Sequence, residues 1–176
     1  MLKKKIYDVK LEILDLEVSV FAPDEEFLVG KTISYDLTKL LKGKNCEARF
    51  RIKKEGESLF ATIYFFMIYP QFVKKMIGKN VSVVEDSFLV KCKDAVLRIK
   101  PFLITRKRVH RSVRAALREK AREIIIKSFT EKTRKEAFQE ILSSSLQKSL
   151  GKKLKKIYPL SVCEIRMAKV EKTNEI

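Results

Sequence analysis

The sequence predicts an α+β protein: a curled or barrel-like, mostly antiparallel β-sheet, followed by two or three helices and a closing C-terminal strand. Two changes in the spacing of apolar residues along the chain predict this class. Up to about Thr105, apolar and polar residues alternate as they do in strands, with turn-forming residues between the runs. After Thr105 the period becomes 3.6, as in a helix, and near the C-terminus it returns to two.

Seven strands are predicted before the change of period. They cover residues 6–14, 16–21, 28–36, 46–54, 59–69, 81–91 and 95–104. Turns are expected at Lys54–Glu57 and around Lys93-Asp94. A short helix from Pro70 to Ile77 is expected between strands, because proline is tolerated in a first turn and Gly78 can end the helix.

The first long helix is predicted to be amphipathic, with one apolar and one basic face. The apolar face comprises Val109, Val113, Ala116, Leu117, Ala121 and Ile124, and the basic face comprises Lys107, Arg111, Arg114, Arg118 and Arg122. A second helix is predicted from Glu131 to about Leu150, with Thr130 as its N-cap and Gly151 as its breaker. Ala137, Phe138, Ile141, Leu142 and Leu146 would supply its apolar face.

A closing strand is predicted at 162–170. Pro159 ends the preceding helical segment Lys152–Ile157, and Ile157 and Leu160 are expected to be buried anchors between helix and sheet. The predicted organisation is a β-rich core at 1–105, a basic helical segment packed on it at 106–157, and a closing strand and tail at 158–176. These three parts are expected to form one structural domain.

The positive charge of the chain is concentrated in its second half. Of the net +17, residues 1–90 contribute 15 basic and 13 acidic residues, whereas residues 91–176 contribute 24 and 9. Such an asymmetry is typical of a protein that binds a polyanion, and nucleic acid is the expected partner. Four consecutive positions on one face of the first helix are Arg, so the sequence predicts an uncompensated stripe that phosphates would neutralise. A membrane surface is the competing anion, but the apolar face is small and rich in Ala.

Catalytic and metal sites are poorly supported. Cys46, Cys92 and Cys163 have no metal-ligand spacing, His110 has no partner at helical spacing, and the acidic run at 24–26 is contiguous. With five glycines, none in a phosphate-binding motif, nucleotide cradling is not expected. No export segment is indicated. The aromatic residues Tyr64, Phe65, Phe66 and Tyr69 could stack on bases, but core packing is the favoured interpretation.

The candidate RNA-binding residues are basic and fall into four groups along the chain. They are Lys3, Lys4, Lys5, Arg106, Lys107, Arg108, Arg111, Arg114, Arg118, Arg122, Lys152, Lys153, Lys155, Lys156 and Arg166. No catalytic residue, metal ligand or cofactor is predicted, and the chain is not expected to be an enzyme.

Three segments carry a resemblance to a known family. They are Leu150–Leu160 with the following Glu164–Val170, the stretch Gly30–Leu40, and the basic helix Val113–Ile124; Ile6–Val9 also matches. Together they resemble the archaeal and eukaryotic small-ribosomal-subunit family written S-three-A-e or S-one-e. Where this family has an Arg-rich stretch after its short helix, the chain has only Lys74, Lys75 and Lys79.

The resemblance implies a compact, archaeal-type structural constituent of the small ribosomal subunit, in the cytoplasm and associated with the ribosome. It would bind small-subunit rRNA on the platform near the mRNA exit and so support translation. The region near the 3′ end of that RNA, neighbouring platform proteins and nearby mRNA would surround it, with no membrane and no small-molecule substrate. A free-standing RNA-binding translation or ribonucleoprotein accessory factor is the alternative.

Overall fold

A computed structural model describes residues 5–41, 43–56 and 58–173, and within them nine strands and four α-helices. The elements are β1 (Lys5–Leu11), β2 (Leu16–Ala22), β3 (Thr32–Asp36), β4 (Cys46–Glu55), β5 (Ser58–Ile68), α1 (Pro70–Met76), β6 (Val83–Glu85), β7 (Phe88–Lys91), β8 (Ala95–Thr105), α2 (Arg111–Phe129), α3 (Arg134–Leu142), α4 (Ser145–Leu154) and β9 (Leu160–Thr173). A short 3-10 helix, Glu25–Phe27, lies between β2 and β3. The predicted α+β class is confirmed.

The nine strands form one open sheet. Its main path runs β2-β1-β5-β9-β8-β6, while β3 pairs with β4, β4 with β5, and β7 with β8. Every pair is antiparallel except the short parallel contact of β1 with β5. The sheet does not close into a barrel, and the last described strand, β9, lies in its middle.

Three predicted strands are shorter or divided in the structure. The strand predicted at 6–14 ends at Leu11, because the chain turns there with positive φ angles at Ile13 and Asp15. The stretch predicted at 28–36 is a strand only from Thr32, because Gly30 has a φ of +82° and forms a turn that other residues adopt with difficulty. The strand predicted at 81–91 is split into β6 and β7 at Asp86-Ser87.

A turn lies near each predicted place. Gly56, with a φ of +60°, follows the end of β4 at Glu55, and Glu57 lies outside the described residues. Cys92 N–H donates to the Ala95 carbonyl at 2.8 Å in the other turn.

The predicted helix from Glu131 to Leu150 is wrong in its bounds. Two helices, α3 and α4, meet at Ser144, which has a φ of +59°, because serine hydroxyls compete with the helix for carbonyl groups. Ser143 Oγ donates to the Glu140 carbonyl at 3.2 Å. The N-cap is Thr133 rather than Thr130, which is the C-cap of α2, and Gly151 lies inside α4 instead of ending it.

The buried stripe of α2 differs in part from the predicted face. Leu117 and Ala121 are buried as expected and Ile125 and Phe129 extend the stripe, whereas Ala116 is exposed. The buried residues recur at four-residue steps, so the stripe turns slowly around the helix axis. A residue predicted at a three-residue step, such as Ala116, therefore lies beside the buried stripe. Apolar side chains of all three long helices and of the sheet share one buried cluster.

The link between the helices and β9 is also corrected. Ile157 is 39% exposed and Leu160 is half-buried, so neither is the fully buried anchor that the sequence predicts. The fully buried residue is Leu154, at 0% exposure. It is the last residue of α4, and the chain turns after it before β9 begins. The grouping of 1–105, 106–157 and 158–176 into one domain stays a prediction.

Candidate nucleic-acid interface

The segment between β8 and α2 holds exposed basic side chains on a backbone that is fixed by hydrogen bonds. The buried Thr105 hydroxyl accepts from Ser82 N–H at 3.0 Å and donates to the Lys107 carbonyl at 2.7 Å. The Ser82 hydroxyl in turn accepts from Val109 N–H at 3.1 Å. The side chains of Arg106, Lys107, Arg108 and His110 are exposed. The site therefore begins with a positioned loop rather than a free tail.

The N-terminus of α2 has no side-chain cap. His110 is the N-cap residue, makes no capping hydrogen bond, and no acid lies in the first turn, where Arg111 and Arg114 are both exposed. By contrast, α3 begins with a complete capping box between Thr133 and Glu136. A helix N-terminus carries partial positive charge, so cations there are unfavourable and an anion is attracted. This end of α2 suits a phosphate group.

Further along α2, the Arg residues are tied to the loop between β6 and β7. Arg122 makes a forked pair with Asp86, with Nε and Nη2 each at 3.0 Å from a carboxylate oxygen, and its guanidinium lies 5.3 Å from the Phe88 ring centre. Arg118 Nε donates to the Glu85 carbonyl at 3.2 Å, and Arg166 Nη1 donates to the Glu85 carboxylate at 3.0 Å. We name Arg118, Arg122 and Arg166 with Glu85 and Asp86 the arginine edge.

The arginine edge corrects the prediction of an uncompensated stripe. Helical spacing places no acid on the Arg face of α2, but the fold brings the Asp86 carboxylate against Arg122 and the Glu85 carbonyl against Arg118. Arg111 and Arg114 keep the expected exposed position, whereas Arg118 and Arg122 have structural partners. Each guanidinium has five N–H donors, so the paired ones retain donors for a phosphate.

On its other side, α2 faces α4 across a groove of about 420 Å³. Lysines from both helices line it: Lys120 and Lys127 from α2, and Lys153 and Lys156, from α4 and the turn that follows it. Glu123 also lines it and pairs with Lys120 at 2.7 Å. We name these four lysines and Glu123 the lysine groove. Its cations outnumber its carboxylate, and all of them are exposed.

Lys120 and Lys127 lie outside the single basic face that helical spacing predicts for α2. Both lysines nevertheless recur at helical spacing beside the half-buried Ile124. A signal existed in the sequence: Lys127 is followed by the basic Lys152–Lys156 run on a later helix. The pairing of the two helices was needed to bring those charges together.

The other candidate residues occupy separate positions. Lys152 is exposed at the end of α4, and Lys155 lines a smaller pocket of about 210 Å³ with Arg106 and the first residues of β9. Lys5 is exposed but lies in the β1–β2 hairpin rather than in the helical half. Lys3 and Lys4 lie outside the described residues.

The geometry offers little for catalysis or metal binding. Within residues 5–41, 43–56 and 58–173, no three metal-ligating side chains come together. Burial raises the pKa of the Cys46 and Cys92 thiols to about 11 and that of Cys163 to about 12, so none of them is a reactive thiolate at neutral pH. Every helix in the described residues is too short or too polar to cross a membrane.

Comparison with known proteins agrees with the resemblance found in the sequence. The model of the ribosomal S3Ae family matches residues 1–174. The chain belongs to this family. Among curated S3Ae relatives, small ribosomal subunit protein eS1 of Saccharolobus islandicus (strain L.S.2.15 / Lassen #1) is 31% identical over 147 residues, which is 82% of this chain and 71% of the relative.

Two further S3Ae relatives carry the same name. The protein of Nanoarchaeum equitans is 25% identical over 160 residues, covering 88% of this chain and 80% of its own length. That of Saccharolobus solfataricus is 29% identical over 147 residues, covering 82% and 71%. The relatives are thus archaeal ribosomal proteins, and S3Ae is a family of ribosomal proteins rather than of enzymes.

Proposed function

We propose that the protein is a structural constituent of the small ribosomal subunit that binds small-subunit rRNA through its helical half. The family and the names of its relatives support the ribosomal role. The observation that carries the RNA contact is the lysine groove, where α2, α4 and the turn after α4 present four cations and one carboxylate. Like charges so arranged repel one another until an anion lies between them.

The chemistry of this surface favours contacts to phosphates rather than to bases. Arg106, Arg108, Arg111 and Arg114 extend the cationic surface from the β8–α2 loop onto the uncapped end of α2. Lysine and arginine bind phosphate oxygens irrespective of sequence, and such contacts fix the orientation of a protein on a folded RNA. The arginine edge would add its remaining guanidinium donors. The expected ligand is the backbone of structured RNA.

The resemblance to the S-three-A-e family gives the proposal its location. The protein would lie on the platform of the subunit near the mRNA exit, next to the 3′ end of the small-subunit RNA and to other platform proteins. It would therefore reside in the cytoplasm, with the ribosome. The alternative function, a free-standing RNA-binding factor, uses the same cationic surface without stable incorporation.

Gradient sedimentation of a lysate distinguishes these two functions. A ribosomal constituent is expected to sediment with the small subunit in a constant ratio to its RNA, and to remain there when the gradient is repeated. A free factor would spread into the light fractions, and this result would overturn the ribosomal assignment.

The salt dependence of binding to structured RNA tests the phosphate contacts. If about eight phosphates are neutralised, the logarithm of the association constant should fall with the logarithm of salt concentration with a slope of about −6 to −7. Titrations of the full chain at several salt concentrations measure this slope. A slope shallower than about −2 would rule out a broad phosphate-binding surface.

A further inference from the structure

A row of side chains crosses four strands on the face of the sheet that points away from the core. The strand register places Arg49 of β4, Phe65 of β5, Lys169 of β9 and Arg98 of β8 side by side. In the adjacent row, Phe66, Ala168 and Ile99 are 3%, 0% and 0% exposed. Because successive residues of a strand point to opposite faces, the first row lies outside. We name this surface the outer sheet face.

Cations dominate the outer sheet face. Arg49, Arg51, Lys53, Arg98, Lys100 and Lys169 lie on it, together with the carboxylates Glu47 and Glu171. Glu47 pairs with Arg49 at 2.6 Å, and Glu171 pairs with Arg98 at 2.8 Å and with Lys169 at 3.6 Å. The carboxylates order part of the face and leave it with net positive charge.

Two aromatic rings lie among these cations. Tyr64 and Phe65 are half-buried, but neither packs with the core cluster that includes Phe66. A register shift after Arg49 makes Tyr64 an extra residue of β5, and such a bulge re-aims side chains. The favoured prediction that these aromatics are core residues is therefore correct for Phe66 and wrong for Tyr64 and Phe65.

The rings are paired with guanidinium groups. Arg49 lies 4.9 Å from the centre of the Phe65 ring, and Arg51 lies 5.2 Å from that of Tyr64. Aromatic rings and guanidinium planes are both surfaces on which unpaired bases stack. The two pairs together form a stacking platform on an exposed sheet.

A pocket of about 300 Å³ lies next to this platform, where β5 separates from β9. Strand β5 pairs with β9 only at 65–67 and with β1 only at 60–61, so the sheet opens between these contacts. Arg51, Lys53, Tyr64 and Lys169 line the pocket, and Arg134 of α3 lies in its wall. The Glu171 carboxylate also lines it and is paired with Arg98 and Lys169.

Arg134 has an unmet hydrogen-bonding need. Its side chain is 14% exposed and contacts Glu12 at 3.4 Å, while its Nε is buried and has no hydrogen-bond partner among the described residues. A buried donor without an acceptor is destabilising, so Glu12 leaves the Arg134 guanidinium only partly satisfied. A phosphate in the pocket would lie near the Arg134 guanidinium charge and the lining cations Arg51, Lys53 and Lys169.

We propose that the outer sheet face is a second nucleic-acid site and that it takes a single strand. Bases stack on Tyr64 and Phe65, and an adjacent phosphate lies in the pocket beside Arg51, Lys169 and Arg134. The faces of bases are accessible only when they are unpaired, so this surface selects single strands, whereas the lysine groove suits structured RNA. An acidic peptide would use the cations but gain little from the rings. The site does not depend on the ribosomal assignment.

The experiment measures binding of the full chain to a labelled single-stranded RNA of about ten nucleotides and to a duplex of equal length. The test variant is Tyr64→Leu with Phe65→Leu, which keeps the side chains apolar. Tyr64→Phe with Phe65→Tyr keeps the rings. Phe27→Leu changes an exposed aromatic that also lies against a cation, Lys31, but is outside the sheet. Thermal melting confirms that each variant folds.

The Leu variant is expected to lose at least about fivefold in affinity for the single strand, since each stacked base contributes measurably to binding. Its duplex affinity should be unchanged, and the ring-preserving variant and Phe27→Leu should bind both RNAs normally. Arg51→Gln with Lys169→Gln should weaken single-strand binding and reduce its salt dependence.

Two results would overturn the inference. Equal loss of single strand and duplex would mean that the rings do not select unpaired bases. The other result is a polyglutamate peptide that competes with the single strand and binds the Leu variant as tightly as the unaltered protein. This result would assign the face to an acidic protein partner. A variant of the lysine groove should retain single-strand binding, so failure of this site and failure of the rRNA proposal are distinguishable.

Discussion

The two sides of α2 carry similar charge and have different surroundings. On the arginine edge, Arg122 is held by the mostly buried Asp86 in a forked ion pair, and Arg118 is bound to the β6–β7 backbone. In the lysine groove, Lys127, Lys153 and Lys156 face one another across α2 and α4. The difference teaches that positive charge in a sequence does not by itself mark a ligand surface. The carboxylates that the fold brings close decide which cations support structure.

The largest expected effect comes from the lysine groove. Replacing Lys127, Lys153 and Lys156 with Gln removes three proposed phosphate contacts. At about 0.15 M salt, affinity for structured RNA should fall about a hundredfold, and the salt slope should become shallower by about 2 to 3. Filter binding or anisotropy at several salt concentrations measures both quantities.

Lys74, Lys75 and Lys79 provide a matched control. All three are exposed, and their replacement with Gln makes the same change in net charge elsewhere. This variant should keep most of the affinity, because these lysines lie in and after α1 rather than in the groove. If both variants lose the same affinity, binding depends on total charge and the groove has no special role.

A second pair of variants divides the Arg residues of α2. Arg111→Gln with Arg114→Gln should weaken structured-RNA binding about twentyfold and leave stability unchanged or slightly higher, because cations at a helix N-terminus are unfavourable. Arg118→Gln with Arg122→Gln should lower the free energy of unfolding by about 1 to 2 kcal/mol, through loss of the Asp86 pair and the Glu85 hydrogen bond.

Denaturant unfolding and RNA titration of both variants test this division. The Arg118 and Arg122 variant is expected to lose less affinity than the Arg111 and Arg114 variant, since its guanidiniums are already engaged. Identical stability for the two variants would show that the arginine edge contributes nothing to folding.

The smallest expected effect concerns the uncapped start of α2. His110 has the extended backbone of an N-cap residue, so His110→Asn and His110→Asp should each stabilise the protein by about 1 kcal/mol. Only Asp adds a negative charge where a phosphate is proposed, and it should lower RNA affinity about fivefold. Equal affinity of the Asn and Asp variants would mean that no phosphate binds there.

The fold class and most strands could be predicted from the sequence, because apolar and polar residues alternate along a strand wherever one face of the sheet is buried. The errors arose where local chemistry overrides the period. Gly30 turns the chain before β3, and the serines at 143–145 divide one predicted helix into two. Glycine and serine act through backbone geometry and local hydrogen bonds, which hydrophobic periodicity does not report.

The candidate site was predictable in its charge but not in its partners. Exposure of Arg111 and Arg114 follows from helical spacing, whereas the contact of Arg122 with Asp86 joins positions 36 residues apart. The outer sheet face depends even more on topology, since its row joins β4, β5, β9 and β8. Single-sequence patterns do not encode such pairings.

The central place of β9 has a consequence for the making of the protein. Synthesis delivers β5 and β8 long before the strand that must lie between them, and the helices emerge in the interval. The growing chain therefore holds two incomplete pieces of sheet with free edges until β9 is made, and pairings so distant in sequence form slowly. During that interval, the second-half cations are already exposed to any RNA nearby, so encounter with RNA can precede completion of the sheet.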